Sequence, residues 1–97
     1  MIIVHDIFVC KPGNASKLAK LFKETSAHDK HLVNIMTDMT GQYNRVIMVT
    51  QYDDLVGYQK SWEEYMNPTP EMKEAMKKME NYHEMYLTGS REIYKVW

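Results

Sequence analysis

The segment from Arg45 to Met66 constrains the fold most, because its hydrophobic pattern changes period at two adjacent aspartates. From Arg45 to Tyr52 apolar side chains occupy both faces of an extended strand, which is typical of a central strand covered on both sides. Asp53 and Asp54 favour a helix start through side-chain capping and the helix dipole. Large apolar residues then form one ridge, at Leu55, Tyr58, Trp62, Tyr65 and Met66. The pattern predicts a central strand followed by an amphipathic helix.

A second central strand is predicted from Ile2 to Cys10, which also carries apolar side chains on both faces. Lys11-Pro12-Gly13 ends it, and Asn14 is a suitable N-cap for the next helix. Leu18, Leu21, Phe22 and Thr25 recur there at helical spacing.

The remaining elements follow from alternation and from chain breakers. His31 to Thr40 alternates like an edge strand, and Thr40 to Asn44 is a hairpin turn. The prolines of Asn67 to Pro70 end the helix, and Thr69 caps a new one with Pro70 at its first position. Helical spacing then continues to Tyr86, and Arg91 to Trp97 is predicted as a last strand at the other edge.

These elements predict one α+β domain over residues 1–97, with ferredoxin-like β-α-β-β-α-β order. We expect a four-stranded antiparallel sheet of order 4-1-3-2 with the helices on one face, and parallel pairing only between the first and third strands. The helices cover one face of the sheet, whereas the central strands are apolar on both. We therefore expect a homodimer that packs the open sheet faces together.

Composition excludes several classes of function. Twelve basic residues against thirteen acidic ones give a net charge of −1, which does not suit a nucleic-acid-binding protein. Lys17, Lys20 and Lys23 are interpreted as a solvated helix face. The single Cys10 excludes an intramolecular disulfide, and a reducing cytoplasmic compartment is expected. The apolar stretch at Ile2–Cys10 is too short to span a membrane, so no membrane association is expected.

Three histidine-containing segments are candidates for chemistry. His5 and Asp6 interrupt the most apolar strand, and as neighbours they point to opposite faces, so they cannot serve one site. His5 and His83 are the candidate catalytic bases, because histidine titrates near neutral pH. A purely structural role remains the alternative for both. His28 and His31 lack a third ligand, so no metal site is predicted.

A ligand pocket between sheet and helices is predicted from aromatic and methionine side chains at helical spacing. Its candidate lining residues are Tyr58, Trp62, Met76 and Met79. Packing in the core is the alternative interpretation, since a stripe at helical spacing usually faces the core.

The chain resembles the dimeric α/β-barrel superfamily, which includes NIPSNAP-like and antibiotic-biosynthesis-monooxygenase-like proteins. The resemblance spans the whole chain and is carried by Lys11–Asn14, Gly41–Asn44, Tyr52–Leu55 with Tyr58 and Trp62, and Arg91–Tyr94. It implies a ferredoxin-like fold and a dimer, but the superfamily has no single activity.

Two functions follow as hypotheses, and whether the protein is an enzyme is left open. The first is binding of a small apolar or aromatic molecule in the pocket. The second is a cofactor-free monooxygenase or isomerase acting on a planar phenolic or polyketide-like substrate, with His5 or His83 as base. No cofactor is expected. The haem-degrading branch of the superfamily uses an asparagine on the first strand with a tryptophan and a histidine on the second helical segment. Haem degradation is disfavoured, because this chain has no asparagine on its first strand and its Trp62 and His83 lie 21 positions apart.

Overall fold

The computed structural model describes residues 1–97 and has β-α-β-β-α-α-β order, in which a short 3-10 turn precedes the last strand. The elements are β1 (Ile2–Cys10), α1 (Ala15–Thr25), β2 (Leu32–Thr37), β3 (Arg45–Tyr52), α2 (Leu55–Met66), α3 (Pro70–Lys78), the 3-10 turn (Tyr82–Glu84) and β4 (Tyr86–Lys95). The break between α2 and α3 lies where the prolines predict it. Asp54 caps α2 and Thr69 caps α3 through their side chains.

The strands form one antiparallel sheet in the order β2-β3-β1-β4, which confirms the predicted order and the α+β ferredoxin-like class. The expected parallel pairing of β1 with β3 is wrong, since Ile7 and Ile47 are partners in an antiparallel ladder. The reason is topological: the crossover through α1 returns β2 in the direction of β1, and the β2–β3 hairpin then reverses the chain.

Helices cover one face of the sheet and enclose a small core. Val4 and Cys10 of β1 are buried on this face, where Phe8 contacts Phe22 of α1 at 5.0 Å between ring centroids. Val46 of β3 is paired with Phe8 and shares its face, and with Cys10, Leu18 and Phe22 it forms the core cluster. The core lies mainly between α1 and the strand ends nearest the β2–β3 hairpin.

The other face of the sheet has no covering layer. Ile3, His5, Ile7 and Val9 alternate along β1 with the core residues, and Ile47 is paired with Ile7 on the same face. All five are half-buried rather than buried. The homodimer through this face stays a prediction.

The last strand begins earlier than the sequence pattern predicts. Tyr86 is the first residue of β4 and is paired with Cys10, so helical spacing does not continue to it. The 3.6-residue spacing of Met79, Tyr82 and Tyr86 misleads here, because all three pack against the core although α3 ends at Lys78.

α2 packs more loosely on the sheet than its aromatic ridge suggests. None of its residues is fully buried, and Trp62 keeps 42% and Met66 77% of their surface exposed. Tyr58 and Ser61 are the half-buried contacts toward the sheet. None of the helices has the length and apolar character needed to cross a lipid bilayer.

Candidate functional site

An ion pair with a largely buried carboxylate lies on the helix-covered face of the sheet. Asp6 of β1 and Arg91 of β4 are cross-strand partners, and the Arg91 Nε donates to Asp6 Oδ1 at 2.5 Å. The Asp6 side chain keeps only 17% of its surface exposed. Burial opposes the charge of Arg91, but the hydrogen bond and the charge of Asp6 outweigh it, with further contributions from Tyr58 and Tyr52, so the pKa of Arg91 is raised.

Aromatic side chains of α2 lie over this ion pair. The Arg91 guanidinium lies 5.0 Å from the centre of the Trp62 ring, within cation–π range. Tyr58 meets Trp62 edge-on at 6.3 Å and Tyr52 of β3 at 5.1 Å between centroids. We call Asp6, Tyr52, Tyr58, Trp62 and Arg91 the Tyr58 cluster.

The hydroxyl of Tyr58 is buried and has no hydrogen-bond partner within the protein. Its neighbour Tyr52 differs, since the Tyr52 hydroxyl lies 3.5 Å from the Ser61 hydroxyl. A buried polar group without a partner costs free energy of about 1–3 kcal/mol, and native structures contain few such groups. The cluster therefore offers an unused donor and acceptor beside two aromatic rings and a charged pair, which suits a planar molecule with a polar oxygen.

The two candidate catalytic histidines lie outside the Tyr58 cluster. His5 is on the open face of the sheet, where its ring contacts Tyr94 edge-on at 5.1 Å. His83 is exposed in the 3-10 turn on the helix side, next to Tyr82. The structure therefore does not bring the two histidines together, and their catalytic role stays a prediction.

The four predicted pocket residues lie in three separate places. Tyr58 and Trp62 belong to the Tyr58 cluster. Met79 packs against the core instead, where its sulfur accepts a hydrogen bond from the Thr25 hydroxyl at 3.2 Å. Met76 is exposed on α3 and lines an open surface depression with Pro68. No group of three or more metal-ligating side chains is close enough to hold an ion.

Sequence reasoning missed Arg91 and Tyr52 as members of the cluster. It did assign Asp6 and His5 to opposite faces, which β1 confirms, and an acidic residue inside an apolar strand signals a nearby cation. The pairing register of β1 with β4 decides which basic residue lies opposite Asp6, and this register cannot be predicted from the sequence.

The chain matches no family model and no curated protein. A NIPSNAP family protein from Agrobacterium tumefaciens has a TM-score of 0.78 at 13% identity, covering 97% of this chain and 90% of its own. An uncharacterised NIPSNAP-like domain protein from Burkholderia xenovorans has a TM-score of 0.76 at 18% identity, covering 99% and 84%.

Similarity extends to a second group of solved structures. A proposed antibiotic biosynthesis monooxygenase from Nitrosomonas europaea has a TM-score of 0.64 at 12% identity and covers 99% of this chain and 98% of its own. At such low identity the likeness concerns the fold. The chain thus has the ferredoxin-like fold of NIPSNAP and antibiotic-biosynthesis-monooxygenase-like proteins, in agreement with the resemblance seen in its sequence.

Proposed function

We propose that the protein binds a small planar, aromatic molecule at the Tyr58 cluster, between α2 and the sheet. The buried hydroxyl of Tyr58, which makes no hydrogen bond within the protein, supports this proposal. A ligand oxygen that accepts a hydrogen bond from this hydroxyl would remove the cost of the unpaired group. The rings of Trp62 and Tyr58 would supply the apolar contact area.

The loose packing of α2 supports entry of such a ligand. The helix buries no residue completely. A small outward displacement of α2 would open space above the ion pair without disturbing the core around α1. The ion pair between Asp6 and Arg91 is neutral as a whole, so the ligand class is an uncharged phenol, quinone or ketone.

Titration with a matched pair of probes tests this proposal. In Trp97→Phe, Trp62 is the only tryptophan, and its indole N–H signal can be followed by NMR while 1-naphthol or naphthalene is added. We expect saturable shifts with 1-naphthol. Tyr58→Phe should lower the affinity for 1-naphthol by about fivefold, the equivalent of one ordinary hydrogen bond, and leave the affinity for naphthalene unchanged.

Tyr43→Phe is the matched control, because Tyr43 is exposed in the β2–β3 hairpin. It should leave both affinities unchanged. The proposal would be contradicted by shifts that never saturate. It would also be contradicted if Tyr58→Phe lowered the affinities for 1-naphthol and naphthalene equally, because the hydroxyl would then not bind the ligand oxygen.

A second candidate is a cofactor-free monooxygenase or isomerase acting on a planar phenolic or polyketide-like substrate. Asp6 favours it, since it is the carboxylate of the Tyr58 cluster and carboxylates can serve as general bases. Neither His5 nor His83 lies in that cluster. Turnover of anthrone-like compounds that is lost in Asp6→Asn but kept in His5→Ala would support this candidate over simple binding, and its absence from the whole panel would count against it.

We also propose that the working unit is a homodimer in the cytoplasm. The uncovered face presents Ile3, Ile7, Val9 and Ile47 to solvent in the single chain, and a second copy of that face is its simplest complement. The free, buried Cys10 fits a reducing compartment.

A further inference from the structure

A concave region lies between α1 and the C-terminal end of α3, away from the Tyr58 cluster. We call it the α1–α3 groove. It has a volume of about 520 Å³ and is lined by Lys17, Lys20, Leu21, Glu24, Lys77, Lys78, Glu80, Asn81, Tyr82 and Met85. This volume is in the range of small-molecule sites.

The groove concentrates positive charge that the protein itself does not neutralise. Four lysines and two glutamates give its lining a charge of +2 (4 − 2), whereas the whole chain carries −1. Only Lys78 is paired, with Glu24 at 2.8 Å, and this contact raises the pKa of Lys78. Lys17, Lys20 and Lys77 have no carboxylate within 4.0 Å.

Helix stability alone does not account for the lysines of α1. Lys77 and Lys78 lie in the last turn of α3, where cations favour the helix dipole. Lys17 lies in the first turn of α1, where the dipole disfavours a cation, and that turn contains no acidic residue. A positive charge in this position is a local cost that a bound anion would offset.

The floor of the groove is apolar. Leu21, Tyr82 and Met85 are half-buried and pack against the core cluster. Burial, followed by the influence of Tyr86 and Tyr65, raises the pKa of Tyr82, so its phenol stays neutral at physiological pH. An apolar floor under a basic rim matches a molecule that has both an apolar body and an anionic head.

We propose that the α1–α3 groove binds a small amphipathic anion, an alkyl or aryl group that carries a phosphate or carboxylate. The head group is held by Lys17, Lys20 and Lys77, and the apolar body lies on Leu21 and Met85. Glu24 and Glu80 on the same rim oppose an extended phosphate backbone, so a compact ligand with one anionic group fits better than a nucleic acid.

Binding of octyl phosphate to the whole chain, below its micelle concentration, tests the proposal by NMR. We expect saturable shifts at Leu21 and Met85, and affinities about tenfold lower for inorganic phosphate and for octanol, each of which has half of the required chemistry. The double variant Lys17→Glu/Lys77→Glu should lose about tenfold in affinity. Its matched control, Lys30→Glu/Lys60→Glu, makes the same change of charge outside the groove and should bind like the unmodified chain.

Three results would overturn the proposal. They are equal affinity in both double variants, shifts centred on Tyr58 rather than on the groove, and binding to phosphatidic acid vesicles without binding to free octyl phosphate. Circular dichroism of both variants shows whether they are folded. If Lys17→Glu/Lys77→Glu is not folded, Lys17→Gln/Lys77→Gln makes the same comparison with a smaller change of charge.

Discussion

At the scale of single residues, Asp38 holds the β2–β3 hairpin through both carboxylate oxygens. They accept hydrogen bonds from the Arg45 backbone N–H at 2.8 Å and from the Arg45 Nε at 2.7 Å. The hydrogen bond from the Arg45 side chain, above all, lowers the pKa of Asp38 below its ordinary value. Since the folded-state pKa is depressed, the carboxylate stabilises the fold above the ordinary aspartate pKa and loses this effect as the pH falls through the folded-state value.

The expected result is that Asp38→Asn lowers the free energy of unfolding at pH 7 and that the difference from the unmodified chain shrinks below about pH 4. Urea denaturation at several pH values measures it. Asp53→Asn, at an exposed aspartate without such hydrogen bonds, is the control. A difference that stays constant from pH 7 to pH 3 would contradict the role given to the charge of Asp38.

The ion pair of Asp6 and Arg91 supports a second prediction at this scale. Removing Arg91 alone leaves a largely buried carboxylate without its partner, so Arg91→Ala should destabilise the protein more than the double variant Asp6→Asn/Arg91→Ala. Because the Arg91 side chain is 43% exposed, solvent screening limits the coupling to about 1 kcal/mol. A double-mutant cycle by thermal denaturation measures this coupling, and additive effects would show that the pair contributes nothing.

At the scale of elements, the N-cap of α2 determines how firmly this helix is held over the Tyr58 cluster. Asp54 Oδ1 accepts a hydrogen bond from the Gly57 N–H at 2.8 Å, and Asp53 makes no cap bond. Asp54→Ala should therefore lower the free energy of unfolding by about 1 kcal/mol, and Asp53→Ala should lower it much less. Since α2 packs loosely, the loss should appear as faster amide exchange in α2 while α1 stays protected. Equal exchange in both variants would show that Asp54 does not control the helix.

The elements also show what the sequence could and could not predict. The two-faced apolar pattern of β1 and β3 identified both central strands, because burial on both sides leaves few alternatives. The start of β4 was missed, since Tyr82 and Tyr86 face the core from a turn and a strand while keeping helical spacing. Arg91 was missed for a related reason: its contact with Asp6 joins residues 85 positions apart.

At the scale of the whole molecule, the open sheet face predicts self-association. Ile7→Lys places a charge in the middle of that face and should convert a micromolar dimer into a monomer, as measured by sedimentation equilibrium. Val56→Lys is the control, because Val56 is exposed on α2, on the helix side. If the unmodified chain sediments as a monomer at micromolar concentration, the predicted dimer is wrong, regardless of how the two variants sediment.

Tyr58→Phe tests the claim that the Tyr58 hydroxyl is kept unpaired for a ligand. Removing a buried hydroxyl without a partner should raise the free energy of unfolding by about 1 kcal/mol in urea denaturation, while the affinity for 1-naphthol falls. Opposite signs for stability and binding are the predicted result. A variant that is less stable and binds 1-naphthol as well as the unmodified chain would contradict the claim, because the hydroxyl would then serve the fold.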